Sequence, residues 1–364
     1  MKDDLLFLAG KKVWERIREG GLHPDDVTVV AGAAGAAKWL IISELDKTIF
    51  SQWFKDRVKP LHLYGTSIGS WKLASAALRD PVAAIDALAD AYIHQRYNGR
   101  VTPRKVKEEC RKIMDACFPR ERVAEILSHP VMRFNLTATR CKGVTESEKI
   151  PVQSLGLGLA WLFNRINRKL LGLFFERVFF YDPREEPAFF EKSEFPIQRV
   201  PLDGENFQHA LLATSSIPLV MQGIRNITGA EAGVYRDGGI LDYHPASFSP
   251  TEEEGIILYP HFSNRLIPGW FDKTIRRRNA DPEHMQNMLM VVPSPDFVAS
   301  LPLGRIPDRA DFKTFDGRDE ERIAFWNEAT ARGKKLADDF MESVLSGSIK
   351  TKVRRLETHQ ITHA

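Results

Sequence analysis

Cysteine is scarce in this 364-residue chain: Cys110, Cys117 and Cys141 are its three. They are too few and too scattered for a disulfide framework. Cys110 and Cys117 share a helical-looking stretch but have no second ligand pair with which to hold zinc. This usage fits a reducing cytoplasm. Long apolar runs are missing as well. No stretch approaches the ~20 residues that a membrane span needs. The most apolar region, 155–180, is interrupted by Asn164, Arg165, Arg168, Lys169 and Glu176. Met1-Lys2-Asp3-Asp4 leads into no long apolar core with a small-residue cleavage site, so no signal peptide is expected; the segment to about Gly20 reads as an amphipathic helix. An excess of one charge is absent too. Lys and Arg number 51 against 48 Asp and Glu, a formal net charge of +3, which gives no overall basic field for nucleic acid. No carboxylate cluster suggests calcium, and no metal or cofactor is expected.

What is present is an ordinary composition, 43% hydrophobic, in a chain long enough to bury a large core without cross-links. Val27-Thr28-Val29-Val30 is a short apolar run that ends in a turn of small residues, followed by a helical pattern at Trp39, Leu40, Ile42 and Leu45. Leu61-His62-Leu63-Tyr64 is a second such run, and a helix opens at Ser67. Two consecutive strand–turn–helix units predict an α/β fold with a parallel sheet. Helices are expected over 81–128 and 205–214. Strands are expected at 131–139, 178–181, 255–259 and 288–293. An amphipathic region covers 155–176, and a charged helix covers 318–346, followed by a polar tail expected to lack order. The simplest organisation is one domain, 1–300, with 301–364 as a helical extension packed on it.

Three clusters carry chemistry. Gly65-Thr66-Ser67-Ile68-Gly69 has the G-x-S-x-G spacing of a nucleophile elbow between a strand and a helix. The chain must turn sharply there, and glycines two residues either side of the serine remove the Cβ atoms that would clash. The helix N-terminus then points free N–H groups at the site, with that of Ile68 suited to a developing oxyanion. The plainer reading is a tight turn with Ser67 as N-cap. Ala31-Gly32-Ala33-Ala34-Gly35-Ala36-Ala37 lets a ligand approach the backbone, or serves close helix–sheet packing. It is not a nucleotide loop: Ala37 and Trp39 flank Lys38 where that motif needs glycine and a hydroxyl. Arg236-Asp237-Gly238-Gly239 turns a carboxylate inward, or is a simple Asp-Gly turn. A Ser-His-Asp triad would also need a histidine. His244, His261 and His284 follow Asp237 without any flanking signature, and His62 reads as a packed core residue.

Together these pieces resemble the patatin-like phospholipases. That family has a glycine-rich oxyanion loop after its first strand, a G-x-S-x-G elbow on the next core strand, and a later D-G-G or D-G-A motif. Ala213-Thr214-Ser215-Ser216-Ile217-Pro218 is similar to the family's A-[ST]-S-A-x-P segment, and Leu241-Asp242 and Pro245 fit the residues that trail D-G-G. The resemblance spans about 25–260. It implies a three-layer α/β/α fold with a mainly parallel central sheet. It also implies a Ser–Asp dyad: Ser67 as nucleophile, Asp237 as base, Gly238 and Gly239 shaping the aspartate motif. Backbone N–H groups of Gly32, Ala33, Ala34, Gly35 and Ile68 would hold the oxyanion. The implied substrate is a lipid or fatty-acyl ester, cleaved through an acyl-enzyme. The chain departs from the family where alanines replace most glycines of a G-G-G-x-[RK]-G loop, with Lys38 the nearest basic residue, and where Tyr243 stands in place of a common asparagine.

An aspartate has an ordinary pKa of about 3.9, so burial must raise it before it serves as a base near neutral pH. In 155–176, Leu159, Leu162, Phe163, Ile166, Leu170, Leu173 and Phe174 recur at helical spacing, with Arg165, Arg168 and Lys169 on another face. That segment is either an interfacial helix in peripheral contact with membranes or a helix packed on the core. Arg276-Arg277-Arg278 either attracts phosphate head groups or is a solvated loop. The competing functions are an acyltransferase or thioesterase with the same dyad, and a catalytically weak lipid-binding protein with the same fold.

Overall fold

The computed structural model describes residues 3–97, 99, 101–187, 189, 193–246, 255–275, 278, 280 and 283–356. Its strands are β1 (Leu5–Ala9), β2 (Val27–Gly32), β3 (Leu61–Thr66), β4 (Met132–Cys141), β5 (Phe175–Tyr181) and β6 (Ile197–Pro201). They continue with β7 (Ile224–Arg225), β8 (Val234–Arg236), β9 (Ile256–Pro260), β10 (Met288–Pro293) and β11 (Arg354–Arg355). The sheet runs β11-β1-β10-β9-β2-β3-β4-β5-β6, with β8 paired to β4 and β7 to β8. Strands β10, β9, β2, β3 and β4 are mutually parallel, whereas β1 joins β10 and β5 joins β4 antiparallel. Every residue of β2, β3, β9 and β10 is buried. Near-continuous apolar runs such as Met288-Leu289-Met290-Val291-Val292 suit strands covered on both faces. The fold is α/β, with a mostly parallel central sheet flanked by helices.

The helices are α1 (Lys11–Gly20), α2 (Ser43–Thr48), α3 (Ile68–Ala76), α4 (Pro81–Ile93), α5 (Pro103–Cys117) and α6 (Arg120–Ser128). After them come α7 (Ile150–Ile166), α8 (Phe207–Ala213), α9 (Pro295–Ser300), α10 (Asp311–Thr314), α11 (Asp319–Arg332), α12 (Lys334–Leu345) and α13 (Ile349–Lys352). Several expectations need correction. The N-terminal segment is not helical throughout. Leu5-Leu6-Phe7-Leu8-Ala9 is apolar without a break and pairs with β10, and only from Lys11 does a one-faced pattern, buried at Val13 and Ile17, make a helix. The stretch 155–176 divides into the end of α7, a short 3-10 helix at Arg168–Leu173 and the start of β5. The stretch 318–346 divides at Gly333 into α11 and α12. The tail is structured through Arg355, because α13 follows and β11 pairs with Leu8 and Ala9 of β1. Residues 357–364 lie outside the described residues.

The C-terminal helices enter the main hydrophobic cluster. Trp326 is fully buried and stacks on Tyr92 at 6.1 Å, and Phe340 meets Trp53 edge-on at 5.3 Å. No helix among the described residues is long and apolar enough to cross a membrane.

Candidate active site

In parallel sheets, ligands gather at the carboxyl ends of the strands. Here the small-residue loop leaves the end of β2, and Ser67 follows the end of β3. Ser67 has φ 52° and ψ −132°, a left-handed conformation that a side chain adopts only under constraint. The constraint is visible in the backbone around it. A Cβ on Gly69 would lie 2.3 Å from the carbonyl carbon and oxygen of Gly32, and one on Gly65 would lie 2.7 Å from the carbonyl carbon of Gly69. The loop after β2 and the first turn of α3 therefore touch backbone to backbone, and only glycine fits between them.

The partner of Ser67 arrives along the edge of β4. Strand β3 pairs with β4 up to Thr66 opposite Thr137, and then ends. Strand β8 runs the other way and pairs with β4 at Thr139 opposite Arg236, then also ends. The two strands meet nearly head to head, so the residues that follow them, Ser67 and Asp237, face each other. Ser67 Oγ donates to Asp237 Oδ2 at 2.9 Å. The other oxygen, Oδ1, accepts from Gly239 N at 2.7 Å. Gly238 is required here, since a Cβ on it would sit 2.1 Å from Thr137 O.

The Ala213–Pro218 segment positions both halves of this pair. Thr214 Oγ1 accepts from Ser67 N at 2.8 Å and donates to Thr137 O at 2.6 Å. Asp237 N donates to Ser216 O, and Gly238 N to Thr214 O. The residues after Asp237 tie the loops together in turn. Thr66 Oγ1 donates to Asp242 O at 2.8 Å, while the Asp242 carboxylate takes both Nε and Nη2 of Arg177, at 2.8 and 2.7 Å.

Ser67 and Asp237 are each only 6% exposed. Burial raises the Asp237 carboxyl from an ordinary value of 3.8 to about 6, against the hydrogen bonds from Gly239 and Ser67 and the charge of Lys273, which lower it. A carboxylate at that value is ionised at neutral pH yet basic enough to take a proton from a hydroxyl. The histidines are engaged elsewhere. His244 and His261 meet edge-on with ring centroids 4.3 Å apart, and Nδ1 of each lies against a carbonyl, that of Arg265 and that of Ser263 respectively. Burial pushes the His244 imidazole well below its usual value and that of His261 down to about 3. His284 is exposed, and His62 is a buried residue of β3, edge-on to Phe189.

One of the expected oxyanion donors needs revision. Ala34 N is already committed to Tyr243 O at 2.9 Å, so it is not a free donor. Gly32 pairs with Gly65 within the sheet, and neither Gly32 nor Ala33 lines the cleft. The cleft meets Ala34, Gly35, Ala36 and, across Ser67, Ile68. Ala36 opens the short 3-10 helix Ala36–Ile42 with φ 50°, a second strained residue beside the serine.

Two cavities join at Ala36, Ser67, Ile217 and Arg309. One, of about 290 Å³, is walled by Trp71, Tyr92, Val106, Ile113, Val220 and Phe312. The other, of about 110 Å³, is polar: Asp237, Lys38, Tyr243, Lys273, Asp308 and Arg309 line it. Lys38 lies 3.3 Å from Asp308. Lys273 sits over the Tyr243 ring at 3.8 Å, and burial, with Lys38 and Arg309 nearby, pushes its ammonium down to about 8. Lys273 and Arg309 lie on loops outside any motif, and nothing in their local sequence distinguishes them. Of the basic triplet, Arg276 and Arg277 lie outside the described residues. Arg278 bonds Asp272 at 2.9 Å and Asn164, so it is an internal tie. No group of three or more His, Cys, Asp or Glu among the described residues could hold a metal ion.

The fold and the site together define an α/β protein with a serine–aspartate pair at a strained strand-to-helix turn, opening on one apolar and one polar cavity. No family model matches the chain, and no curated protein matches it.

Proposed function

We propose that the protein is a lipid acyl hydrolase of the patatin-like kind, with a three-layer α/β/α fold, cleaving fatty-acyl esters through a Ser67–Asp237 dyad. The observation that carries this reading is the 2.9 Å bond from Ser67 Oγ to a buried carboxylate, at a left-handed serine between two cavities. Asp237 Oδ2 takes the hydroxyl proton as Oγ attacks the acyl carbonyl. The charge that develops on the carbonyl oxygen is met by N–H groups of Ile68, Gly35 and Ala36. One such donor is typically worth about 10²–10³ in rate. The tetrahedral intermediate then expels the alcohol, and Asp237 returns the proton to the leaving oxygen. Water, deprotonated by the same carboxylate, then attacks the acyl-enzyme, and Asp237 returns that proton to Ser67 Oγ as the fatty acid leaves. An alkoxide leaving group asks less of a weak acid than an amine does, which favours esters over amides.

Helix α7 supplies the approach to lipid. Its buried residues are Gln153, Gly156, Leu157, Ala160 and Asn164, whereas Leu155, Leu159, Trp161, Leu162 and Ile166 are exposed. Gln153 Oε1 accepts from Leu219 N at 2.8 Å, beside Ile217 and Pro218 of the cleft wall. Helix α7 is thereby tied to the segment that walls the cleft, and Arg165 over the Trp161 ring at 5.1 Å adds a cation to its exposed apolar face. Such a surface suits peripheral contact with a bilayer.

The test is labelling with a fluorophosphonate. One covalent adduct on Ser67 is expected, lost in Ser67→Ala and Asp237→Asn, with turnover of acyl esters lost in parallel. A folded protein that takes no label, or a Ser67→Ala protein that still hydrolyses esters, would sink the reading.

A further inference from the structure

The two cavities differ in chemistry, and the dyad decides which half of a substrate each one receives. Asp237 must return its proton to the leaving oxygen, so the alcohol lies on the side where Asp237 is exposed to ligand. That side is the polar cavity, whose lining includes Asp237 and Gly239, while the apolar cavity has neither. The acyl chain therefore occupies the space between Trp71, Ile113 and Phe312, and the alcohol occupies the space between Lys38, Lys273 and Arg309.

Three cations around that small space face two carboxylates, Asp237 and Asp308, which leaves an excess of positive charge. Asp308 is already taken up by Lys38 at 3.3 Å. Lys273 and Arg309 have no carboxylate within ion-pair distance among the described residues. Lys273 rests on an aromatic face, which holds an ammonium without neutralising it. Two unneutralised cations beside a partly buried cleft wall are unfavourable unless an anion joins them. Burial first, and then the charges of Lys38 and Arg309, push the Lys273 ammonium down to about 8, against the opposing pull of Asp237 and Asp308. A guanidinium offers a planar fork and an ammonium a point charge, the pair of donors that suits a phosphate-type oxyanion. The cavity's volume of about 110 Å³ admits a compact head group and leaves no room for a second acyl chain.

Resting on the acyl-ester reading above, we propose that Lys273 and Arg309, with Lys38, form a subsite for an anionic leaving group, so that the substrate is a single-chain acyl ester of a short alcohol bearing a phosphate-type oxyanion. The same chemistry would be met by a lysophospholipid with a phosphate monoester head group or by a soluble acylated phospho-alcohol. These two differ in whether turnover needs an interface.

The experiment compares 1-octanoylglycerol 3-phosphate with 1-octanoylglycerol, both as monomers, in wild type, Arg309→Met, Lys273→Met and Arg309→Lys. The readout is the ratio of kcat/KM between the two esters, so a general loss of activity does not count. Wild type is expected to prefer the phosphate ester by roughly tenfold or more. Either methionine variant should lower that ratio roughly 10- to 100-fold, the worth of a charge-assisted hydrogen bond, and Arg309→Lys should restore part of it. A ratio near one in wild type, or one unchanged by both methionine variants, overturns the subsite while leaving the hydrolase reading intact. If no ester is hydrolysed, that reading fails, and calorimetric titration with glycerol 3-phosphate then decides the subsite. Binding to wild type that weakens in Arg309→Met supports it, and no binding overturns it. Addition of long-chain vesicles that accelerates the phosphate ester alone identifies the lipid source, and equal rates without them identify the soluble one.

Discussion

Asp237→Asn separates chemistry from stability, because the two should move in opposite directions. The side chain keeps its shape: the amide oxygen can still accept from Gly239 N, and the amide nitrogen faces Ser67 Oγ in place of Oδ2. The base is gone, however, and the nitrogen donates to the hydroxyl where the carboxylate accepted from it. General-base catalysis is typically worth about 10²–10⁴ in rate, so kcat should fall by at least that range. Stability should rise. Burial holds the folded carboxyl at about 6 against an ordinary 3.8, so ionising it in the folded protein costs about 3 kcal/mol. The folded pKa is raised, so this cost is absent below pH 3.8, grows between 3.8 and about 6, and is complete above that. Asparagine carries no such cost. In a chain of 364 residues, 3 kcal/mol corresponds to roughly 4 °C in Tm. Thermal melts of wild type and Asp237→Asn near pH 7.5 should therefore differ by about that much, and the gap should close near pH 4. An asparagine variant that melts lower than wild type at pH 7.5, or that retains esterase turnover, refutes the reasoning.

The same carboxylate sets the rate profile: kcat/KM on a neutral ester should rise with pH through a single proton loss near 6 and then level off. A profile that stays flat from about pH 5 to about pH 8 excludes Asp237 as the base. Gly69→Ala should lower stability by about 1–3 kcal/mol or more, since its Cβ would lie 2.3 Å from Gly32 backbone atoms; a melt within a degree of wild type contradicts the backbone contact. Replacing Trp161, Leu162 and Ile166 together with serine should weaken co-sedimentation with anionic vesicles roughly tenfold or more, and unchanged binding removes α7 as the anchor.

Much of the sheet could be read from the sequence, because buried parallel strands appear as short apolar runs closed by small residues. Val27 to Val30 and Leu61 to Tyr64 are of that kind. Leu5 to Ala9 is equally apolar, but it abuts the helical pattern at Val13 and Ile17 and reads as its continuation; only pairing with β10 separates the two. The serine and aspartate loops carry local turn chemistry, which marks their positions. Their closeness does not appear in either loop, since it depends on two strands sharing one edge of β4. The donors of the loop after β2 are not legible locally, for a similar reason. Whether Ala34 N is free is decided by the carbonyl of Tyr243, far along the chain. Lys273 and Arg309 are charged residues on irregular segments, and a sequence holding 51 Lys and Arg offers no local mark by which to choose them.

The head-to-head meeting of β3 and β8 has a consequence for biosynthesis. Ser67 and its acceptor are 170 positions apart. A nascent chain that has emerged as far as β7 can pair β2, β3 and β4, yet it holds a serine with no carboxylate beside it. The residues between 230 and 243 complete the arrangement in one stroke. They bring β8, the acceptor of the serine proton, the carbonyl that fixes Ala34 and the carboxylate that Arg177 grips. Asp237 lies about two-thirds of the way along the 364-residue chain, so the hydroxyl stays chemically ordinary until most of the polypeptide has been made. Truncated or stalled products would carry the elbow without its reactivity.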